Sequence, residues 1–439
     1  MPDGHTDSIA PKKQPPKERQ NEKRPNLIQS LGPGLITGAS DDDPSGIATY
    51  SQVGAQYGNG LAWSLIVSYP LMAAIQEIAA RIGRVTGRGI GGNLTKYYPW
   101  WLARSIVGLL MIANVINLGA DLGAMGAAVK LLIHGPALLY VIGFGLLSAG
   151  MEIFMGYQRY VKVLKYLCLS LLSYVACAFV VKVQWGDVAK NIVMPPIQID
   201  ADYIMAIVAV LGTTISPYLF FWQANQEVED TRQRSDRQPL VRAPEQAARE
   251  FSRIRIDTYS GMFVSNLIAF FIVITTAATL HATGKTDVET SAQAAEALRQ
   301  VAGPFTFVIF ATGIIGTGLL TVPVLTGSAA FAVGEIFHWR VGLAQRPTRA
   351  KAFYVTIAAA MAAGVIMNVL PIEPMKALYW SAVINGIVAV PVMVIMMRLA
   401  VRKDVMAGFK LPRYLWTVGW IATAAMGATV LALFWSWVS

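Results

Sequence analysis

The sequence predicts an all-α polytopic membrane protein with about eleven transmembrane helices. Three observations carry that prediction. Hydrophobic residues make up 54% of the 439 residues and charged residues only 14%, against roughly 25% charged in a soluble domain. Apolar runs long enough to cross a hydrocarbon core of about 30 Å recur along the whole chain. The basic residues then alternate between the two sides of those runs.

Hydropathy places the spans at about 31–55, 61–80, 105–129, 137–157, 166–181, 203–222, 258–281, 301–337, 352–370, 375–397 and 414–437. Of the 36 Lys and Arg residues, 30 fall in one alternating set of connections and six in the other: Lys130, Lys182, Lys190, Lys285, Arg299 and Lys376. The positive-inside rule puts the richer side in the cytoplasm. The N-terminus is therefore expected inside and, with an odd number of spans, the C-terminus outside. The expected location is the inner membrane of a bacterium.

Residues 1–27 are basic, polar and proline-rich, and read as a disordered cytoplasmic tail without signal-peptide character. Residues 28–439 read as a single transmembrane domain. The longest polar interruption, 223–257, includes an amphipathic stretch at Glu245–Arg255, and 282–300 reads as a short external surface helix. Trp100, Trp101, Tyr379, Trp380, Trp416 and Trp420 sit at span ends, where aromatic residues anchor helices at the interface. Cys168 and Cys177 share one apolar span and read as packing residues. His5, His134, His281 and His338 are scattered at span ends or in the tail and form no zinc pattern.

Two spans are interrupted. The first carries Asp41-Asp42-Asp43-Pro44-Ser45-Gly46 in its middle, and the sixth carries Gly212-Thr213-Thr214-Ile215-Ser216-Pro217. Proline lacks an N–H and clashes with the preceding turn, so each helix should unwind at Pro44 and Pro217. Broken segments at corresponding places, five spans apart, point to an inverted-repeat transporter with a midplane site. The repeats are expected at about 31–181 and 203–397, with an extra helix at about 414–437. A charged residue at mid-depth costs about 2.5–3.5 kcal/mol on insertion scales, so three aspartates there imply an aqueous path or a cation. Carbonyls freed by unwinding, together with a carboxylate, suit a hard cation.

Gly32-Pro33-Gly34 ahead of Asp43-Pro44, and the stretch Gln76 through Arg81-Ile82-Gly83-Arg84-Val85-Thr86-Gly87, resemble the first two helices of the NRAMP family of divalent metal transporters. The resemblance covers essentially everything after residue 27. It implies a fold of five plus five spans with broken helices 1 and 6, shared with many amino-acid transporters. It also implies that Asp43 matches the motif carboxylate. Gly46 stands where the family motif has asparagine, and Thr213, Ser216 and Tyr218 stand where the sixth helix usually has alanine, methionine and histidine. A thioether favours transition metals, whereas Mg²⁺ prefers oxygen and keeps several waters. A hydroxyl at Ser216 and no side chain at Gly46 therefore predict a harder, wider site, similar to that of NRAMP-related magnesium transporters.

The expected donors are Asp43, Asp42, the Ser40 carbonyl, the space at Gly46, Thr213 and Ser216. The expected cargo is Mg²⁺, with Mn²⁺ as a second candidate. Positions that carry acids in the third helix of proton-coupled relatives align with Ala120 and Gly123, and Tyr218 replaces the histidine, so proton coupling is expected to be weak or absent. Asp121 lies one residue off, about 100° around the helix.

The alternatives are a proton-coupled Mn²⁺, Fe²⁺ or Al³⁺ transporter, an amino-acid carrier of the same fold, and an intramembrane aspartyl hydrolase using Asp43 and Asp121. No cofactor, nucleic acid or obligate protein partner is expected; the partners are the metal ion and the lipid bilayer. Gly119 and Gly123 read as helix packing, and Glu77, Glu152 and Glu335 as paired or interfacial acids.

Overall fold

The computed structural model describes residues 32–286 apart from 199, together with 288, 295, 303–370 and 374–438. The tail 1–27 and most of the segment 282–300 lie outside the described residues.

Every described regular element is a helix. The first span is α1 (Pro33–Ala39) and α2 (Pro44–Tyr57), separated at residues 40–43. Pro33 and Pro44 each open their helix, where a missing N–H costs nothing. The second span is α3 (Ala62–Thr86), ended by Gly87 at φ 65°. A short surface helix α4 (Ile90–Tyr97) leads to α5 (Trp100–Ile133), followed by α6 (Ala137–Phe154). The fifth span joins α7 (Tyr157–Leu167) to α8 (Leu172–Val180) through a 3₁₀ turn, and α9 (Trp185–Val193) follows on the surface.

The second half repeats the scheme. The sixth span is α10 (Ala201–Thr214) and α11 (Pro217–Gln233), broken at residues 215 and 216. Then come α12 (Ala247–Thr279), α13 (Pro304–Ile336), α14 (Lys351–Met367), α15 (Pro374–Val401) and α16 (Arg413–Val438).

Among the described residues, nine helical stretches are long and apolar enough to cross a membrane. The one at Pro44–Thr86 holds both α2 and α3, and α14 is a shorter apolar helix, so the broken and unbroken spans make eleven crossings. Helices run further than hydropathy indicates where polar turns continue them, as at the end of α11 and the start of α12. The amphipathic stretch around Glu245–Arg255 runs from a 3₁₀ turn (Pro244–Gln246) into the first turns of α12, held by an Arg253–Glu250 bond of 2.9 Å. The helices α4 and α9 were not anticipated, because each is under three turns long and polar.

The two broken spans lie at the centre. α12 packs along α1, α2 and α3, α5 packs against α13 and α15, and α15 also reaches α2 and α10. Small residues let α1 approach α12 closely: a Cβ on Gly38 would run into the Gly261 backbone, and one on Gly34 would lie 2.7 Å from the Asp257 carbonyl carbon. Gly119 packs near Gly364 of α14 in the same way. The interfacial aromatics behave as expected at Trp100 and Trp101, exposed by 67% and 57% at the start of α5.

The isolated acids find distinct partners. Glu77 pairs with Arg81 at 2.6 Å, and Glu335 accepts the Gly89 and Gly92 N–H groups at 2.7 and 2.9 Å. Glu152 accepts from the Thr326 hydroxyl.

Candidate functional site

The break in the first span is built by what Pro44 cannot do. In a continuous helix its N–H would reach the Ser40 carbonyl; proline leaves that oxygen orphaned. The Tyr218 hydroxyl donates to it at 3.0 Å and Thr321 Oγ1 at 3.4 Å. Tyr218 lies in the first turn of α11, so this bond ties the first break to the second. The Thr321 hydroxyl has a nearer acceptor in the Thr317 carbonyl at 3.0 Å, so the Tyr218 bond is the one that engages the Ser40 oxygen, at one of its two lone pairs. In this conformation the oxygen expected among the cation donors is shared with the Tyr218 hydroxyl.

Asp43 caps α2. Its Oδ1 accepts from Gly46 N at 2.5 Å and from Ser45 Oγ at 2.7 Å, and its Oδ2 accepts from Asn117 Nδ2 at 2.7 Å. Asn117 is held in turn by the Ser381 hydroxyl, which donates to its Oδ1 at 2.6 Å. Asp41 turns the other way, accepting from Ser265 of α12 at 3.0 Å, with its other oxygen unpartnered. Neither oxygen of Asp42 accepts a hydrogen bond. From α5, Asp121 Oδ1 accepts from Ser45 N at 3.2 Å, and its Oδ2 is unpartnered.

Relative exposures are 1%, 0%, 2% and 0% for Asp41, Asp42, Asp43 and Asp121, so four carboxylates are buried around one helix break. Among the described residues none of them has an ion pair with a base; the salt bridges of the molecule lie elsewhere. Among the described residues no three His, Cys, Asp or Glu side chains form a ready-made metal cage. A bound cation would have to draw on hydroxyls, carbonyls and water as well as carboxylate.

At the second break, Ser216 Oγ donates to the Gly212 and Thr213 carbonyls at 2.9 and 2.8 Å. The Thr213 carbonyl is the one that Pro217 leaves without its N–H, so this hydroxyl repairs the break from within. The Thr213 hydroxyl is buried and unpartnered. Gly46 faces it: a Cβ there would lie 2.8 Å from Thr213 Cγ2 and 3.1 Å from Asp43 Oδ1. The space expected at Gly46 is filled by the threonine methyl, so the glycine narrows the gap between the breaks rather than widening the site.

Ala120 packs against Ala48 of α2, and a Cβ on Gly123 would run into the Asn368 side chain. Asp121, displaced by one residue from the aligned positions, nevertheless reaches the break. Asn117 is absent from the expected donors, and Asp121 is expected only as an acid one residue off the aligned positions or as a hydrolase partner of Asp43. The signal for both was present: Asn114, Asn117 and Asp121 recur at helical spacing along an otherwise apolar span, which marks one polar face of α5.

Two centrally broken helices, packed among unbroken ones and lined by buried carboxylates, define a membrane transporter of the inverted-repeat class. The model of the Nramp family, described as natural resistance-associated macrophage protein-like, matches residues 34–436. The chain belongs to the Nramp family, and it is a multi-pass transporter and not an enzyme.

It is similar to proteins called divalent metal cation transporter MntH. The one from Erwinia tasmaniensis is 26% identical over 329 residues, covering 72% of this chain and 74% of that protein. The one from Klebsiella pneumoniae strain 342 is 23% identical over 407 residues, covering 90% and 91%. A crystal structure of the Eremococcus coleocola manganese transporter superposes with a TM-score of 0.69 at 17% identity, covering 93% of this chain and 86% of that one. MhsT in complex with L-phenylalanine gives 0.58 at 13% identity, covering 92% and 98%. These likenesses establish the fold.

Proposed function

We propose that this transporter carries divalent metal cations into the cytoplasm by alternating access around the two helix breaks. We infer Mg²⁺ as the principal cargo, with Mn²⁺ as the second candidate and no coupled proton. The observation that carries the reading is the set of four buried carboxylates around the first break, with no paired base among the described residues. Burying such charge without compensation is costly, and a passing cation supplies the compensation. The relatives named divalent metal cation transporters agree in kind.

The choice of Mg²⁺ rests on the donor chemistry. Asp42 and Asp43, the Thr213 and Ser216 hydroxyls and the Ser40 carbonyl are all hard oxygen donors, and no thioether stands at position 216. Hard donors with water filling the remaining positions suit Mg²⁺. Ser40 would take part through the lone pair that Tyr218 leaves free. In this reading residues 31–181 and 203–397 are the moving repeats, 414–437 is the added helix, and residues 1–27 form a cytoplasmic tail. The protein sits in a bacterial inner membrane with its N-terminus inside.

Competition tests the cargo. Mg²⁺ should already suppress Mn²⁺ uptake when the two ions are at comparable concentrations; undiminished Mn²⁺ uptake under a large excess of Mg²⁺ would remove Mg²⁺ from the reading.

A second reading has one observation in its favour. Asp121 brings a carboxylate from the third span to the break, where a proton-coupled Mn²⁺ carrier would need one. The Asp121→Asn variant separates the two. Without coupling, uptake falls but its pH dependence is unchanged. With coupling, the pH dependence disappears.

A further inference from the structure

A cleft of about 730 Å³ opens on the side of the molecule that carries the excess of basic residues. That volume is in the range of small-molecule sites, roughly 300–1,000 Å³. Its walls come from the turn after α3, from α4, from the end of α11 with the loop that follows, and from residues 404 and 405. The loop is fixed in place: Leu240 N and Val241 N donate to the Arg84 and Val85 carbonyls at 3.2 and 3.1 Å.

Six cationic side chains line the cleft, Arg88, Lys96, Arg232, Arg234, Arg237 and Arg242, against a single carboxylate, Asp404. Some of that charge is balanced. Arg234 and Arg237 share Asp230, and Arg232 meets Glu229 at 3.2 Å. Asp404 is itself engaged by Arg402 at 2.6 Å, which cancels the one negative charge in the lining. Arg88, Lys96 and Arg242 form no ion pair among the described residues; Lys96 only lies over the Tyr97 ring at 4.9 Å. These three exposed, unpaired cations line one cleft, and their summed field attracts an anion into it. Guanidinium groups present paired N–H donors that match phosphate oxygens.

We propose that this cleft binds a phosphate-bearing polyanion, supplied as a soluble polyphosphate or as an anionic lipid headgroup. The ligand would bridge α4 and the end of α11, the helix that begins at the second break. The inference stands whichever cation the transporter carries.

The test uses the purified full-length protein, the double variant Arg88→Gln/Arg242→Gln and the control Arg349→Gln. Arg349 is a basic residue exposed outside the cleft lining. None of the three arginines forms an ion pair among the described residues, so all three proteins should share one thermal unfolding midpoint. In one arm, metal-free inorganic tripolyphosphate is titrated by calorimetry. In the other, the unfolding midpoint is compared in phosphatidylcholine vesicles with and without phosphatidylglycerol.

The expected result is saturable binding of tripolyphosphate that weakens with salt. Its Kd should rise about tenfold or more in the double variant and stay unchanged in the control. If only the phosphatidylglycerol arm shows a stabilisation that the double variant loses, the phosphate comes from lipid and the site stands. Equal behaviour of the three proteins in both arms, or no binding by the wild type in either, overturns the proposal.

Discussion

Asp43 has two roles at the residue scale, and they can be separated. It caps α2 through Gly46 N and Ser45 Oγ, and it supplies charge to the break. Asparagine caps a helix about as well as aspartate, so Asp43→Asn should keep the unfolding midpoint within a few degrees while uptake falls about tenfold or more. Asp43→Ala should lose uptake and an additional 0.5–2 kcal/mol or so of stability. Normal uptake by Asp43→Asn would contradict the assignment.

Gly46 gives a second residue-scale prediction. Restoring a side chain with Gly46→Asn presses on Thr213 Cγ2 and should cost roughly 1–3 kcal/mol. Adding Thr213→Ala should recover most of that loss, as read by thermal unfolding of the single and double variants.

At this scale the sequence disclosed Asp41–Asp43 and both prolines, because charge and proline are conspicuous in apolar runs. It did not disclose that Tyr218 closes onto Ser40, or that Thr213 fills the space beside Gly46. Those contacts depend on the rotation of one helix half against another, which residue spacing within a single span does not determine.

Asp257 and α1 belong to the scale of elements. Asp257 of α12 accepts the N–H groups of Gly32, Gly34 and Leu35 at 2.7, 2.8 and 3.2 Å, which satisfies three donors orphaned at the start of α1. Arg253 lies 4.0 Å from the same carboxylate and pairs with Glu227 of α11. This latch holds the half-helix against α12, at the close approach made possible by Gly34, Gly38 and Gly261.

Asp257→Ala should therefore loosen α1. In a background with Cys168 and Cys177 replaced, an Ile36→Cys probe should react about tenfold faster with a membrane-impermeant thiol reagent applied from the cytoplasmic side. An unchanged rate would show that the latch does not hold α1 in place. The breaks themselves were legible from Pro44 and Pro217, and so were the span positions. The latch was not, because Asp257 lies at the end of a polar stretch where acids and bases alternate, and nothing in that stretch distinguishes an acid that caps a distant helix from one that pairs with a neighbouring arginine.

On the scale of the whole molecule, the asymmetry of 30 basic residues against six fixes an expected orientation, and the electrical driving force follows from it. Moving a divalent cation inward is worth about 4.6 kcal/mol per 100 mV of inside-negative potential, a concentration ratio of roughly 10³. Such a gradient needs no proton. The helical membrane fold was readable from hydropathy and charge alternation alone, since both are properties of whole segments. The short surface helices α4 and α9, and the cleft between α4 and α11, were not, since they arise from how separate connections pack together.

The most direct test loads proteoliposomes with a fluorescent Mg²⁺ indicator and a pH indicator and imposes an inside-negative potential. Saturable Mg²⁺ entry that grows with the potential, without internal acidification, is the predicted result. Mn²⁺ entry with acidification and no Mg²⁺ entry would contradict it.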